Sequence, residues 1–258
     1  MLKIHPIPAF SDNYIWTLID ASEERACVVD PGDATPVIDY LTANNLALTD
    51  ILITHHHPDH TGGIAELTQR YSPAVYGPMN ERIQGITQRL QEGQRIEVFG
   101  LDFSVIEVPG HTLDHIAYFS DSNTTPILFC GDTLFAAGCG RLFEGTPETM
   151  LASLEKLAAL PAATQVYCTH EYTLANLRFA SAVEPDNQDL LVRVQTEQAK
   201  RNADKPTLPS NLTLEFATNP FMRCATPSIK AAAEQYAGHA VDTKVEVFAA
   251  VRRWKDNF

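Results

Sequence analysis

Short apolar runs separated by turns fill the first two thirds of the chain. The runs at 14–19 and 26–30 are rich in β-branched and aromatic residues and predict two paired strands, followed by a turn at 31–33. Further strands are predicted at 51–54, 74–76, 96–98, 103–108, 116–119, 127–130 and 166–169. The run at 51–54 is almost wholly apolar, which is the pattern of a fully buried strand.

Helical periodicity appears between these runs and dominates the last third. Helices are predicted at 35–43, at 62–71 and at 150–160, where Leu151, Leu154 and Leu157 share one face. Beyond residue 170 the pattern is helical over 172–204, with a break at Pro185, and again over 228–236. Strands and helices mixed in this order predict a layered α/β domain at 1–170, followed by a helical domain at 171–258.

Composition and charge narrow the classes of protein. The 258 residues are 45% hydrophobic and 20% charged, which is typical of a globular protein. A formal net charge of -13 disfavours nucleic acid or an anionic membrane as the main partner. Five scattered cysteines without a C-x-x-C pair indicate a reducing compartment. The sequence also lacks a signal-peptide pattern and a long apolar run, so we expect a cytoplasmic, soluble protein.

Four potential metal ligands follow the predicted strand at 51–54 directly. They are His55, His57, Asp59 and His60. Imidazole and carboxylate groups bind zinc, iron or manganese and can leave a coordination position open for water. Because the chain turns where a strand ends, these side chains can converge even without a helix.

Three further candidates each follow an apolar run in the same way. They are His111, Asp132 and His170. Gly110 and Gly131 stand next to two of them and permit a close backbone approach. One such residue alone would favour a structural role, but all three together predict that they complete a metal site.

The chain resembles the glyoxalase II (hydroxyacylglutathione hydrolase) family of the metallo-β-lactamase superfamily. The histidine motif marks the superfamily, while the segments around Gly138 and at the C-terminal end are more specific to glyoxalase II. Besides the histidine motif, the likeness rests on SDNY at 11–14, VDPGD at 29–33, GDTLF at 131–135, GCGRLFEG at 138–145, THEYT at 169–173, NPFMR at 219–223 and R-x-x-K-D-x-F at 252–258.

This resemblance implies a four-layer αββα sandwich with a smaller C-terminal helical domain. It also implies two divalent ions, most readily Zn²⁺, with iron or manganese as alternatives. The implied ligands are His55, His57 and His111 for one ion, Asp59, His60 and His170 for the other, and Asp132 as a bridge. Asp59 and Asp132 are then catalytic as well as metal-binding.

The implied reaction is hydrolysis of the thioester S-D-lactoylglutathione, or of other 2-hydroxyacylglutathiones, by a metal-bridging hydroxide. It yields D-lactate and glutathione and is the second step of methylglyoxal detoxification. The implied enzyme is a monomer acting on a small molecule. The resemblance assigns substrate binding to Arg141, Phe143, Tyr172, Arg252 and Lys255, although Phe143 lacks the hydroxyl of the Tyr found in some relatives.

Several neighbouring residues admit more than one interpretation. His56 lies between two ligands but is expected to support them through hydrogen bonds. His115 matches a family position that is not a ligand. Asp30 either orients a ligand imidazole or simply forms a turn. Asp114 replaces a smaller residue of many relatives and adds a charge near the metals.

Other functions are compatible with part of the pattern. A secreted β-lactam hydrolase would need a signal peptide and would leave the helical last third unexplained. A persulfide dioxygenase uses a single iron, whereas the ligands for a second metal are complete here. The net acidity disfavours a nuclease. A protein that only binds would be expected to have lost a ligand.

Overall fold

The computed structural model describes residues 2–22 and 24–258. The strands are β1 Leu2–Ala9, β2 Asn13–Asp20, β3 Arg25–Val29, β4 Ala47–Leu52, β5 Ala74–Pro78, β6 Gln88–Leu90, β7 Arg95–Val98, β8 Leu101–Glu107, β9 Ile116–Ser120, β10 Ile127–Gly131, β11 Leu134–Phe135, β12 Gly138–Cys139, β13 Gln165–Cys168 and β14 Ser210–Asn211. The helices are α1 Ala34–Asn44, α2 Pro58–Thr61, α3 Ile64–Tyr71, α4 Pro147–Ala158, α5 Thr173–Val183, α6 Gln188–Asn202, α7 Leu212–Thr218, α8 Pro227–Ala237 and α9 Lys244–Asp256.

The described residues divide into two units. The N-terminal unit contains the chain up to 107 together with 114–131, and the C-terminal unit contains 108–113 and 132–258. Among the described helices, none has the length and apolarity that crossing a membrane requires. All five cysteines are buried free thiols.

A six-stranded sheet forms the first half of the N-terminal unit, in the order β1-β2-β3-β4-β5-β6. Strands β1, β2 and β3 pair antiparallel, whereas β3 to β6 pair parallel. Helices α1 and α3 pack against this sheet through a buried aliphatic cluster that includes Val37, Leu41 and Leu67. The parallel strands therefore end at a common edge, where β4 runs into the histidine motif.

The second half of the N-terminal unit is an antiparallel meander of β7, β8, β9 and β10. Buried aromatic side chains lie on these strands, and Phe103 packs on Phe129 with 5.9 Å between ring centroids. The buried Tyr118 of β9 donates its hydroxyl to the carbonyl of Ile53, at 2.8 Å. This bond fixes the meander to the segment that enters the histidine motif.

The C-terminal unit carries two short antiparallel pairs, β11 with β12 and β13 with β14, and the helices α4 to α9. A buried polar network supports the turn between β11 and β12. Glu215 accepts from the backbone nitrogen of Ala137 at 2.8 Å and from Arg193 at 2.6 Å. Asn219 donates to the carbonyl of Gly138 at 2.9 Å. Since removing one partner of a buried pair is costly, this network fixes the turn firmly.

Most predicted elements are confirmed, with ends shifted by a few residues. Helix α4 begins at Pro147, three residues before the predicted start, because Thr146 and Thr149 form a capping box. Strand β1 was not predicted, since Pro6 and Pro8 interrupt its pattern. It occupies the edge of its sheet, where proline is tolerated.

The histidine motif contains one short helix. Pro58–Thr61 forms a single α-helical turn that carries Asp59 and His60 and that the sequence pattern does not predict. Proline at the first helical position supplies the dihedral angle that starts such a turn.

Candidate metal centre

The N-terminal unit carries the histidine motif at the end of β4. His55 and His60 are fully buried. The Nε2 atom of His55 lies 3.0 Å from Nδ1 of His57, and Nε2 of His60 lies 3.5 Å from Oδ2 of Asp59. All four predicted ligands of this unit therefore lie in one short segment, in two close pairs of potential donor atoms.

Asp30 fixes the orientation of this segment. Its φ of 52° bends the chain after β3, and its carboxylate accepts from Thr54 N at 2.8 Å and Thr54 Oγ1 at 2.7 Å. Its Oδ2 atom also lies 3.0 Å from Nδ1 of His60. A carboxylate in this position holds the proton on Nδ1 and leaves the lone pair of Nε2 for an ion. Of the two readings left open for Asp30, the structure supports the orienting role.

The proton of His55 is fixed by a related contact. Thr54 uses its single hydroxyl proton for Asp30, so its oxygen accepts from Nδ1 of His55, 3.1 Å away. The Nε2 lone pair of His55 is then available to an ion. His115 is buried and stacks on His55 with 4.5 Å between ring centroids. Its contact is with the ring face of His55.

Glycine is required where the backbone passes the motif. A Cβ atom on Gly32 would lie 1.9 Å from the carbonyl oxygen of Asp59. Gly131 has a φ of 47°, and a Cβ atom there would lie 2.3 Å from Oγ1 of Thr54. Glycine at these two positions thus permits close approach of neighbouring atoms around the histidine motif.

The C-terminal unit carries the other three predicted ligands. Oδ2 of Asp132 lies 3.4 Å from Nε2 of His111 and 3.3 Å from Nε2 of His170. Nδ1 of His111 donates to the carbonyl of Arg141 at 2.8 Å, so its Nε2 lone pair points towards Asp132. One carboxylate oxygen between two imidazole nitrogens is the arrangement expected of a bridging ligand.

These donors fit divalent ions. Bonds from zinc to nitrogen or carboxylate oxygen measure about 2.0–2.2 Å, so donors that share an ion lie roughly 3–3.5 Å apart. The close pairs in both units fall in this range. Neutral imidazole and carboxylate oxygen suit zinc, iron and manganese alike.

The predicted substrate residues all lie in the C-terminal unit, with different exposure. Phe143 and the side chain of Arg141 are exposed, at 61% and 62%. Tyr172 is partly exposed and stacks on His170, with 4.7 Å between ring centroids. Arg252 is instead buried, at 6% exposure, and donates to the carbonyl of Cys139 at 3.0 Å.

Asp256 links two of the cationic residues. It accepts from Arg252 at 2.9 Å and lies 3.8 Å from Nε of Arg141. Lys255 donates to the carbonyl of Ala175 at 3.3 Å, and burial together with the charges of Arg252 and Arg178 lowers its pKa. Burial raises the pKa of the Cys139 thiol to about 11, so this neighbour stays protonated at neutral pH.

Comparison with known proteins defines the class first. Residues 15–170 match the model of the metallo-beta-lactamase superfamily. The solved structure of BLEG-1 B3 metallo-beta-lactamase superposes with a TM-score of 0.64 at 23% identity, over 86% of this chain and all of that one. The expected α/β sandwich with a C-terminal helical region is thereby confirmed.

The family follows from the rest of the chain. Residues 171–258 match the model of the hydroxyacylglutathione hydrolase C-terminus. A hydroxyacylglutathione hydrolase of Pseudomonas aeruginosa (strain LESB58) is 56% identical over the full length of both chains. The chain belongs to the hydroxyacylglutathione hydrolases, the glyoxalase II family. It is a hydrolase of glutathione thioesters.

A third comparison bears on the metals. The solved structure of TTHA1623, described as a di-iron-bound form, superposes with a TM-score of 0.54 at 27% identity, over 64% of this chain and 91% of that one. Superfamily membership and the clusters of histidine and aspartate indicate a dinuclear site for divalent metals.

Proposed function

We propose that this chain hydrolyses S-D-lactoylglutathione to D-lactate and glutathione at a pair of divalent ions, most readily Zn²⁺. The observation that carries the proposal is the position of Asp132, whose Oδ2 atom lies 3.3–3.4 Å from the nitrogens of both His111 and His170. A carboxylate shared in this way suits two ions with one bridging ligand.

The proposed ligand set follows the pairing of donor atoms within each unit and the resemblance to the family. His55, His57 and His111 would hold one ion, Asp59, His60 and His170 would hold the other, and Asp132 would bridge them. When bound, two such ions supply hydroxide at neutral pH and stabilise the negative charge that develops on the thioester carbonyl oxygen.

The chain's own residues then orient the reaction. Asp30 and the carbonyl of Arg141 hold the imidazoles of His60 and His111 with Nε2 towards the ligand positions. The leaving group is the glutathione thiolate, a stable anion that requires no strong general acid. Cys139 is protonated at neutral pH, so it does not compete as a nucleophile.

Glutathione binding is proposed for the C-terminal unit. The tripeptide carries two carboxylates, which arginine binds in bidentate fashion and lysine as a point charge. Arg141 presents an exposed guanidinium, and Lys255 lies three residues after Arg252 on α9. Tyr172 and Phe143 add partly exposed aromatic surface beside His170 and His111.

The burial of all five thiols, none of them in a disulfide, supports a reducing compartment. We place the enzyme in the cytoplasm as a monomer.

The direct test of the proposed reaction is loss of the thioester absorbance of S-D-lactoylglutathione on addition of zinc-loaded protein. We expect turnover by the wild type and by His239→Ala, an exposed control, and loss of turnover in His170→Ala. Zinc-saturated wild type that leaves this thioester intact would overturn the substrate assignment.

A further inference from the structure

His56 forms a hydrogen-bonded pair with a residue outside the histidine motif. Its Nδ1 atom lies 2.9 Å from Oδ1 of Asp114, and both side chains are largely shielded from water, at 16% and 10% exposure. His56 stands between His55 and His57, two of the proposed ligands. A contact that holds His56 therefore also restrains the backbone that carries both neighbours.

Asp114 is itself held from the opposite side. Its Oδ2 atom accepts from Nδ2 of Asn80 at 2.7 Å. The carbonyl of Asn80 accepts in turn from the guanidinium of Arg89, on β6, which also donates to the carbonyl of Pro78 at 3.4 Å. A continuous series of hydrogen bonds thus runs from the edge of the first sheet through Asp114 to the histidine motif, within the N-terminal unit.

We propose that Asp114 is a positioning residue for the metal centre, which acts through His56 to hold His55 and His57 in the arrangement that binds an ion. The two carboxylate oxygens have separate tasks, one towards His56 and one towards Asn80. Because both oxygens are committed, the carboxylate cannot rotate freely, and His56 is held in a single orientation.

The alternative is a merely structural pair that stabilises the fold without affecting metal binding. The two cases differ in metal affinity: because His56 lies between two proposed ligands, a positioning role predicts weaker metal binding when Asp114 is removed, whereas a merely structural role predicts no change. Partners that orient ligand imidazoles typically change metal affinity by about 10–100-fold when they are removed. Asp114 acts one residue away from the ligands, so we expect the lower end of this range, about tenfold.

The test measures zinc affinity of the full-length protein by competition with a chromogenic chelator. We expect Asp114→Ala to weaken zinc binding about tenfold, and Asp114→Asn, which keeps one oxygen acceptor and loses the other, to fall between Asp114→Ala and the wild type. Asp121→Ala removes an exposed aspartate of the same unit and serves as the matched control, with unchanged affinity. The visible spectrum of the cobalt-loaded protein should change in Asp114→Ala and remain unchanged in the control.

Coupling between the two residues provides a second criterion. If Asp114 acts through His56, changing both residues to alanine should weaken zinc binding no further than the more damaging of the two single substitutions does. Additive losses would show that Asp114 acts by another route and would overturn the proposal, as would wild-type affinity in Asp114→Ala.

The inference rests on the proposed metal centre, but the two can fail separately. Wild-type protein that binds fewer than two zinc ions would contradict the metal centre itself. Wild type with two ions and an Asp114→Ala variant equal to Asp121→Ala would contradict only the positioning role.

Discussion

At the scale of single residues, Asp30 orients the imidazole of a proposed metal ligand, His60. Its carboxylate contacts Thr54 twice and His60 once, within a fully buried setting. We expect Asp30→Asn to weaken divalent-metal binding by roughly 10–100-fold, because the amide cannot accept from all three donors as a carboxylate does. Chelator competition measures this, with Asp33→Asn, at the partly exposed N-cap of α1, as a control for charge alone. Equal affinity in the two variants would refute the orienting role.

Two cationic residues of the C-terminal unit should differ in whether their removal affects substrate binding alone or also the stability of the fold. Arg141 is exposed, so Arg141→Ala should raise KM by roughly 10–100-fold, the loss of one charge-assisted contact, with kcat little changed. Arg252 is buried against Cys139 and Asp256, so Arg252→Ala should also lower the free energy of unfolding. Steady-state kinetics and urea unfolding distinguish the two effects. Arg253→Ala, exposed on the same helix, is the control.

A different result would reassign these residues. A fall in kcat alone for Arg141→Ala would place Arg141 in the chemical step and contradict a role in glutathione binding. Unchanged stability in Arg252→Ala would contradict the structural contacts described for its guanidinium.

The sequence predicts a set of ligand residues, but it does not predict the contacts that orient their side chains. His55, His111 and Asp132 were recognisable because each follows an apolar strand. The partners of their imidazoles are a hydroxyl on Thr54 and a carbonyl on Arg141, which no side-chain pattern reveals. Long-range pairing in space, rather than local spacing, creates these contacts.

At the scale of secondary-structure elements, a partly buried ion pair lies between the end of α5 and the start of α8. Glu184, at the end of α5, binds Arg223 at 2.9 and 3.0 Å and accepts from Ser228 of α8 at 2.5 Å. Burial by itself would raise the pKa of Glu184, but the bonds from Arg223 and Ser228 outweigh it, and the pKa is lowered from 4.5.

The sign of the pH dependence follows from this lowered pKa. The pair stabilises the folded chain fully above pH 4.5, and the stabilisation is lost as the pH falls through the lowered value. We expect the difference in unfolding free energy between wild type and Glu184→Gln to be largest near neutral pH and to shrink below pH 4.5. Urea unfolding over this range measures it, with the exposed Glu66→Gln as control. A difference that grows on acidification would contradict the assignment.

Prediction of elements failed where tertiary context outweighed local preference. The sequence of β1 contains two prolines, which have no backbone N–H to donate. The strand still forms because it lies at the edge of its sheet, where proline is tolerated. The helical turn at Pro58 is too short for periodicity to detect, but it sets the spacing of Asp59 and His60.

At the scale of the whole chain, overall charge and local charge have different meanings. The net charge of -13 disfavours nucleic acid as the main partner, and the chain belongs to a family of glutathione thioesterases. In the proposed binding mode, an anionic tripeptide would instead be held by a few cations, among them the exposed Arg141, against this acidic background. Whole-chain resemblance supplied what composition could not.

We propose that two divalent ions per chain are needed for thioester hydrolysis. The most direct measurement removes metal with a chelator and then titrates zinc back while following hydrolysis of S-D-lactoylglutathione. We expect negligible turnover without metal and a rise in turnover that levels off at two equivalents of zinc per chain. Full activity at one equivalent, or turnover by the metal-free protein, would contradict it.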